Sequence, residues 1–386
     1  MNLLTKKIKE PKENIFTVST FRKAQYKLLE YFITLGIEYI SKQNKNYLNI
    51  KKITIQDILT YNSIHNSSLT QVDCYVSFGN VNNVETKLFV KFLLPTLVED
   101  CFFVLNGNLF VPTLYILDRP IIIKENSIKL SSTFNSITIY DKLITFMGNN
   151  IPAMYFLDLL LSDHNQDQAE LKKDLINHFN FKKGVNTLTE KDLLSYFANL
   201  FKCDENKQTI QDRFNNIFFD DYTKLLYQQC YNLTEKQFTI AHLLKLSLNI
   251  ANTSQESDFI NLDQKRLIFI EILLLPLFKR IAVIASQASR GFSVNSITMD
   301  QMELIKNFHI NLHNKFIYDN VNPFDNMLKF KACMLNPNVE QAPGIIAHLH
   351  ETHYKKLCPI SVSSQKPGET LYIVPDTEID IFGRFL

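Results

Sequence analysis

The stretch from residue 73 to residue 132 constrains the fold most, because it is a series of short apolar segments separated by turn-forming residues. The segments are DCYVSF, KLFVKFLL, CFFVLNG, NLFVPTLYI and PIIIKENSIKLSS. Their β-branched and aromatic residues are typical of strands, and the NGN sequence at positions 106–108 is a good hairpin turn. This part of the chain therefore predicts strands joined by tight turns.

Helical patterns lie on both sides of this strand region. Residues 17–41 carry apolar side chains at helical spacing, which predicts an amphipathic helix. The sequence becomes helical in character from Ile151, and a long helical stretch is predicted from Asp263 to about Gln287. The tail after Asn322 is rich in proline and is predicted to be irregular. The length of the chain by itself suggests about two or three domains.

The composition fits a globular protein and says little about its partners. The 386 residues are 46% apolar, and the formal net charge is +2. A charge this small does not indicate nucleic-acid binding by itself, so any basic surface must be local. The first residues have no apolar core of the signal-peptide type, which predicts a cytoplasmic protein.

The most apolar run, residues 267–285, predicts a buried helix. It is interrupted by Glu271, Pro276, Lys279 and Arg280, and these residues are too costly for a membrane span.

Several common functional motifs are absent from the sequence. The six cysteines form no C-x-x-C pair, so reduced thiols are expected and neither a zinc ribbon nor a disulfide framework is indicated. The nine glycines form neither a P-loop nor a dinucleotide-binding G-x-G-x-x-G motif.

The segment IIAHLHETHYKKLCPI, residues 345–360, contains the ligand types of a zinc site: His348, His350, His353 and Cys358. His348 and His350 would share a face only on a strand, whereas His350 and His353 would share one only on a helix. The spacing also misses the metalloprotease pattern H-E-x-x-H by one residue. A polar turn, or histidines and lysines beside a polyanion, is therefore preferred over a metal site.

Two acidic segments have alternative interpretations. Asp376, Glu378 and Asp380 alternate, so a strand would place three carboxylates on one face, as a two-metal phosphoryl-transfer site requires. A solvated strand face is the preferred interpretation, because most charge runs are of that kind. Asp220 and Asp221 are predicted to lie in a turn or to cap a helix.

The segment HETHYKKLCPISV, residues 350–362, resembles the H-P-T-H-Y-G-R-x-C-P-I-E-T segment of the β subunit of multisubunit DNA-directed RNA polymerases. Further resemblances follow in the order of that family. Residues 94–120 are similar to I-P-L-M-T-x-x-G-T-F-I-I-N-G-x-E-R-V-I-V-x-Q-x-x-R-S-P, apart from one missing residue, and residues 261–286 resemble D-H-L-G-N-R-R-V-R-x-V-G-E-L-L-x-x-Q-F-R-x-G-L-x-R. Residues 322–331 resemble N-P-L-S-E-x-T-H-K-R, and the terminal IDIFGRF resembles I-N-E-Y-G-F.

The resemblance implies a modular α+β fold corresponding to the N-terminal half of a β subunit. It places the first part of a protrusion at residues 14–123, a mostly helical lobe at 124–263, the second part of the protrusion at 264–315 and a fork region at 316–386. Division of a large subunit in this way is similar to the polymerases of giant (jumbo) bacteriophages. Host cytoplasm is the expected location, and packaging in the virion stays open.

The resemblance also implies a role in RNA synthesis only as part of a complex. The family's catalytic Mg²⁺ is held by the D-F-D-G-D motif of the β′ chain, so no catalytic or metal-binding residue is expected in this chain. The expected partners are the C-terminal half of β, β′ fragments, DNA template and RNA product, with a phage promoter-specificity factor as a further candidate and no membrane. The residues expected to contact nucleic acid, mainly through phosphates, are Lys329, Lys331, His353, Lys355, Lys356, Lys265 and Arg266.

Departures from the family pattern keep two other functions open. The family's E-T-P-E-G-P-N is replaced by SVSSQKPGE, and its basic run is reduced to Lys329 and Lys331. One alternative is a non-catalytic β-like regulator that binds host RNA polymerase. The other is a zinc hydrolase that uses the histidine and cysteine cluster at residues 348–358.

Overall fold

The structure is a computed structural model with helices and strands in both halves of the chain. It describes residues 15–43, 47–62, 65–79, 85–99, 102–105, 107–124, 127–140, 143–161, 166–179, 190–201, 203–253, 261–289, 297–298, 316–317, 328–335, 350–358 and 370–386. The helices are α1 (Val18–Tyr26), α2 (Leu29–Gln43), α3 (Ala153–Leu160), α4 (Gln166–Phe179), α5 (Glu190–Phe201), α6 (Lys207–Phe218), α7 (Asp221–Tyr231), α8 (Ile240–Thr253) and α9 (Ile270–Ser289). Short 3-10 helices lie at Glu235–Gln237, Leu262–Gln264 and Glu351–His353.

The strands are mostly short, apart from one long hairpin and the strand that follows it. They are β1 (Ile15–Phe16), β2 (Tyr47–Asn62), β3 (His65–Gly79), β4 (Glu85–Pro95), β5 (Leu97–Val98), β6 (Phe102–Leu105), β7 (Asn108–Val111), β8 (Leu114–Asp118), β9 (Ile121–Lys124), β10 (Ser127–Ser131), β11 (Ser136–Ile139), β12 (Leu143–Phe146), β13 (Asn149–Pro152), β14 (Lys265–Ile268), β15 (Ile297–Thr298), β16 (Phe316–Ile317), β17 (Ala332–Leu335), β18 (Thr370–Tyr372) and β19 (Ile379–Asp380).

The chain divides into two compact units. Unit 1 comprises Met1–Ser41, Asn46–Leu117 and Phe259–Leu386, and unit 2 comprises Lys42–Lys45 and Asp118–Asp258. Unit 1 is thus built from segments that are distant in sequence, with most of unit 2 inserted between them.

The sheets of unit 1 join early and late parts of the chain. Their strand orders are β15-β4-β3-β2, β16-β7-β6-β5 and β14-β8-β17-β18, with β1 and β19 as a separate pair. Strand β17 pairs in parallel with β8, and β1 pairs antiparallel with β19. The end of the chain is therefore part of the same sheets as its beginning.

Helix α1 is attached to distant segments of unit 1 by buried polar side chains. Arg22 is fully buried; its Nε donates to the Pro112 carbonyl at 3.0 Å and its Nη1 donates to the Phe330 carbonyl at 2.9 Å. Gln25 Nε2 donates to the Ile381 carbonyl at 2.5 Å. A buried guanidinium is stable only when its N–H groups are bonded, so these contacts fix the helix in one position.

Unit 2 contains a five-stranded sheet in the order β13-β12-β11-β10-β9, packed against helices. Phe214 of α6 lies at the centre of its aromatic core, with its ring centroid 4.4 Å from that of Phe146, 5.1 Å from Phe156 and 5.2 Å from Phe201. Stacked and edge-to-face contacts of this kind add to the free energy gained by burying the rings.

Helix α7 is joined to the β9–β10 hairpin by hydrogen bonds. The Asp220 carboxylate caps the helix by accepting from the Thr223 N–H at 2.8 Å, and it also accepts from the Thr133 hydroxyl at 3.1 Å. Tyr227 donates to the Ser131 carbonyl, and Tyr231 accepts from the Ile121 N–H. The prediction that the Asp220–Asp221 pair caps a helix is confirmed.

The α+β prediction is confirmed, with differences in the elements. The predicted opening helix is present as α1 and α2, and a turn that contains Gly107 joins β6 to β7. The helix predicted from Asp263 begins at Ile270 instead, because Lys265–Ile268 form strand β14. The whole of β2 was missed by the sequence analysis, and the sheet of unit 2 extends well beyond the one predicted segment at 120–132.

Among the residues described, we find no helix that combines the length and the apolar character needed to cross a membrane.

We expect the stability of unit 2 to depend on pH through Asp220. Burial raises the pKa of this carboxyl above its usual value near 3.8, although hydrogen bonds from Thr223 and Thr133 oppose the shift. The folded state therefore binds more protons than the unfolded state, and the free energy of unfolding falls as pH rises from 3.8 through the raised pKa. Asp220→Asn keeps a capping oxygen but does not titrate, so it should remove this decline. Urea unfolding across that pH range checks the prediction, and identical pH profiles for both proteins would contradict it.

Gly383 is expected to tolerate no side chain. Its φ is +84°, and a Cβ there would overlap the Leu267 backbone, whose N–H donates to the Gly383 carbonyl at 2.7 Å. Gly148 has a similar φ of +74° but open space around it, so Gly148→Ala is a matched control. Gly383→Ala should lower the free energy of unfolding by at least about 3 kcal/mol, from strain and overpacking together, and Gly148→Ala by about 1 kcal/mol. Hydrogen exchange at the Leu267 amide should accelerate only in the first variant, and equal effects of the two substitutions would refute the overlap.

Candidate nucleic-acid interface

The segment from His350 to Cys358, here named the 350–358 turn, is held in shape by its own hydrogen bonds. It begins with the 3-10 helix Glu351–His353. The His353 N–H donates to the His350 carbonyl at 2.9 Å, and the Tyr354 N–H donates to the Glu351 carbonyl at 3.1 Å. The sequence HETHYKK is therefore a compact polar turn, as the analysis of its spacing preferred.

His350 caps this short helix through its ring. Its Nδ1 accepts from the Thr352 N–H at 3.2 Å and lies 2.8 Å from the Thr352 hydroxyl oxygen. That hydroxyl itself accepts from the Leu262 N–H at 3.0 Å. His350 Nδ1 is the acceptor of the Thr352 N–H, so the ring caps the first turn of the 3-10 helix.

The histidine and cysteine cluster shows no convergence in the described part of the chain. The ring centroids of His350 and His353 are 6.0 Å apart, and His353 is buried. Cys358 is half-buried, and its N–H donates to the Tyr372 carbonyl at 2.8 Å. His348 lies outside the residues that the structure describes, and within those residues no three His, Cys, Asp or Glu side chains are grouped to hold a metal ion.

The second half of the 350–358 turn is held by the segment after β18. The Thr377 hydroxyl lies 3.2 Å from the Lys355 carbonyl oxygen and 3.3 Å from that of Lys356, and the Val374 N–H donates to the Lys356 carbonyl at 2.9 Å. Lys355 itself has a φ of +60°. This left-handed conformation is uncommon for residues other than glycine, so the turn here is determined by its surroundings.

The two lysines of the turn differ in how much of their charge faces solvent. Lys355 is exposed, whereas the Lys356 ammonium forms an ion pair with Asp263 at 3.0 Å. Because Asp263 directly follows Leu262, this ion pair and the Thr352 hydrogen bond fasten the same segment to the turn.

Lys265 and Arg266, also expected to contact nucleic acid, lie on strand β14 and are buried. The Arg266 guanidinium makes two parallel hydrogen bonds to the Glu271 carboxylate, at 3.0 and 3.1 Å. This fork-to-fork geometry is the strongest form of a side-chain ion pair, and it gives Arg266 a structural partner inside unit 1. A contact of these two residues with nucleic acid stays a prediction.

Lys329 and Lys331 lie on the single helical turn at residues 328–331, directly before β17, and both are half-buried. The backbone between them is fixed, because the Phe330 carbonyl accepts from Arg22 and the Lys331 carbonyl accepts from the Ile373 N–H at 2.9 Å. These contacts orient the turn that carries the two lysines, and their binding of nucleic acid stays a prediction.

The three alternating carboxylates near the end of the chain do not act as one group. Asp376 and Glu378 are exposed, whereas Asp380 is buried and pairs with Arg384 at 2.5 Å. Asp380 also accepts from the N–H groups of Phe382 and Arg384. The interpretation of a solvated strand face is therefore wrong for Asp380, which stabilises the final turn of the chain.

Tyr354 was not singled out by the sequence analysis. Its side chain is 76% exposed, although aromatic side chains are usually at least partly covered. Only the neighbouring lysines in the sequence YKK could have indicated its position at a surface.

No protein-family model matches this chain, and the curated proteins contain no significant match to it.

Removing one partner of the buried Arg266–Glu271 pair is expected to destabilise unit 1 far more than removing one partner of an exposed pair destabilises unit 2. The two side chains are 7% and 11% exposed, so Glu271→Gln would leave a buried charge without its counter-ion. We expect a loss of about 3 kcal/mol in the free energy of unfolding, largely recovered in the double variant Arg266→Met with Glu271→Leu. Lys224→Gln is the control, because Lys224 and Asp221 are both 43% exposed at 3.9 Å, and it should cost less than about 0.5 kcal/mol. Urea unfolding measures all three, and a Glu271→Gln loss no larger than that of Lys224→Gln would contradict the prediction.

Proposed function

We propose that this chain is the N-terminal part of the β subunit of a multisubunit DNA-directed RNA polymerase, of the divided type found in giant bacteriophages. In this proposal the chain forms walls of the channel for DNA and RNA. It is inactive alone and contributes to template-directed RNA synthesis within an assembled complex in the host cytoplasm.

Backbone conformation at three positions is the observation that carries the proposal. The family patterns have glycine at the positions of Gly107, Lys355 and Gly383. These residues have φ values of +76°, +60° and +84°. Lys355 is the most informative of the three, because lysine rarely adopts a positive φ. A positive φ at Lys355 is the conformation that glycine adopts most easily, so a lysine in place of the family's glycine there supports the proposal.

The division of the chain into units also supports the proposal. The family implies a lobe inserted between two parts of a protrusion, and the resemblance places this lobe at residues 124–263. Unit 2, apart from Lys42–Lys45, runs from Asp118 to Asp258, between two segments of unit 1. An insertion of this size and position is what the proposed arrangement requires.

The chemistry would be shared with other chains. The Mg²⁺ ions of the reaction would be held by the D-F-D-G-D motif of a β′ chain, and this chain would bind phosphates through lysines in a sequence-independent, salt-sensitive manner. Lys355 and Lys356 on the 350–358 turn, with Lys329 and Lys331, are the residues we propose for these contacts. The buried Lys265, Arg266 and His353 would position the segments that carry them.

The proposal predicts which chains accompany this one. Tagged protein purified from its native setting should bring down a companion with D-F-D-G-D and a chain that corresponds to the C-terminal half of β. The complex should synthesise RNA from DNA and nucleotides, whereas this chain alone should not. Mass spectrometry of the purified complex and a transcription assay check both statements.

Other outcomes of that purification would contradict the proposal in distinct ways. Recovery of host RNA polymerase alone would indicate the β-like regulator. Recovery of this chain alone with stoichiometric zinc would indicate the hydrolase at residues 348–358.

The proposal also predicts how the affinity for DNA depends on salt. Lys355→Gln should reduce the slope of log affinity for DNA against log salt concentration by about 0.7 to 0.9, because one phosphate contact is lost. The control Lys129→Gln, at an exposed position in unit 2, should leave the slope unchanged.

A further inference from the structure

The Tyr354 ring is the most solvent-exposed large apolar or aromatic side chain in the described part of the molecule. It is 76% exposed, and the next most exposed side chains of this kind, Tyr140 and Leu386, are both 49% exposed. An aromatic ring held this far into solvent gains little from packing within its own chain. Its hydroxyl and much of its ring surface are therefore open to contact by another molecule.

A positive charge accompanies the ring. The Lys355 ammonium lies 5.4 Å from the centroid of the Tyr354 ring, within the range of a cation–π contact. The neighbouring Lys356 is paired with Asp263, whereas no carboxylate of the described residues pairs with Lys355. The ring and an ammonium group that can bind an anion thus lie side by side at one point of the surface.

The backbone presents this pair in a fixed geometry. The N–H groups of Lys356 and Leu357 both donate to the His353 carbonyl at 3.0 Å, and the carbonyls of Lys355 and Lys356 are held from the Thr377 side. The positive φ of Lys355 turns the chain directly after Tyr354. A preorganised turn of this kind loses little conformational entropy when a ligand binds.

We propose that Tyr354 stacks against an unpaired base of a single-stranded nucleic acid and that Lys355 binds the adjoining phosphate. An exposed ring beside a cation suits this ligand, because every base has a flat face and every nucleotide carries a negative phosphate. Bases within a duplex are already stacked on both sides, so a strand with unpaired bases is the required form. The inference rests on the proposed function for its choice of a nucleic acid, and it names the form of nucleic acid that the 350–358 turn contacts.

The test uses two oligonucleotides of equal length, one of thymidine nucleotides and one with the same backbone but abasic sugars. Their affinities for the chain, with whatever companions co-purify with it, are measured by fluorescence anisotropy. Tyr354→Ala should weaken binding of the thymidine oligonucleotide roughly 5- to 140-fold and leave binding of the abasic one unchanged. Lys355→Gln should weaken binding of both, because both contain the phosphate.

Two control variants separate stacking from other roles of the ring. Tyr354→Phe retains the ring without the hydroxyl, so its affinity should equal that of the unchanged chain. Tyr140→Ala removes another exposed tyrosine, in unit 2, and should have no effect. The proposal would be overturned if Tyr354→Ala weakened the binding of both oligonucleotides equally, or if it changed the binding of neither. It would also be overturned if Tyr354→Ala removed a co-purifying protein chain and changed the binding of neither oligonucleotide.

Failure of this inference can be distinguished from failure of the proposed function. Suppose that the chain purifies in an RNA-synthesising complex that carries D-F-D-G-D, and that Tyr354→Ala changes neither affinity. The stacking site would then be refuted, and the proposal that the chain is a polymerase subunit would stand. Suppose instead that no such companion is found, and that Tyr354→Ala weakens binding of the thymidine oligonucleotide but not of the abasic one. The subunit proposal would then be refuted, and the stacking site would stand.

Discussion

The buried guanidinium of Arg22 is the interaction on which the rest of unit 1 depends. Arginine stays charged at any ordinary pH, so the burial of its side chain requires acceptors in fixed places. Those acceptors are the carbonyls of Pro112 and Phe330, which lie 90 and 308 residues further along the chain. Phe330 stands between Lys329 and Lys331, so the same hydrogen bond that secures α1 also orients the turn carrying two proposed phosphate contacts. A neutral side chain at position 22 would leave both carbonyls without this donor.

The parts of the fold that could be predicted from the sequence are those determined by neighbouring residues. The turn at Gly107 and the cap at Asp220 were predicted because a turn or a cap needs only a few adjacent residues of the right type. Strand β2 was missed although its sequence is rich in isoleucine and threonine, because its extent is set by pairing along its whole length with β3. The start of α9 was misplaced for a similar reason, since the strand Lys265–Ile268 forms through its place beside β8 in a sheet.

At the candidate site, too, the sequence predicted residue types but not their surroundings. The motif identified the lysines and histidines, but their surroundings determine which of them meet solvent. Arg266 is paired with Glu271, Lys356 with Asp263, and Lys355 alone of these basic residues extends from the turn beside an open ring. Tyr354 was overlooked because an aromatic residue in a globular chain is usually assigned to the core. The left-handed backbone at Lys355 is what turns the chain after that ring.

The structure of the 350–358 turn explains the spacing of its histidines. Their spacing suits neither a strand nor a helix, because His350 serves as a cap and Thr352 links it to the Leu262 N–H. A cap of this kind needs a hydrogen-bond acceptor with a particular reach, and the residues around it can change without disturbing the turn. The same holds for Lys355, where lysine stands in a conformation that glycine adopts most easily. If backbone geometry is what this chain shares with the polymerase family, short motifs at turns and caps would persist while the sequence between them diverged.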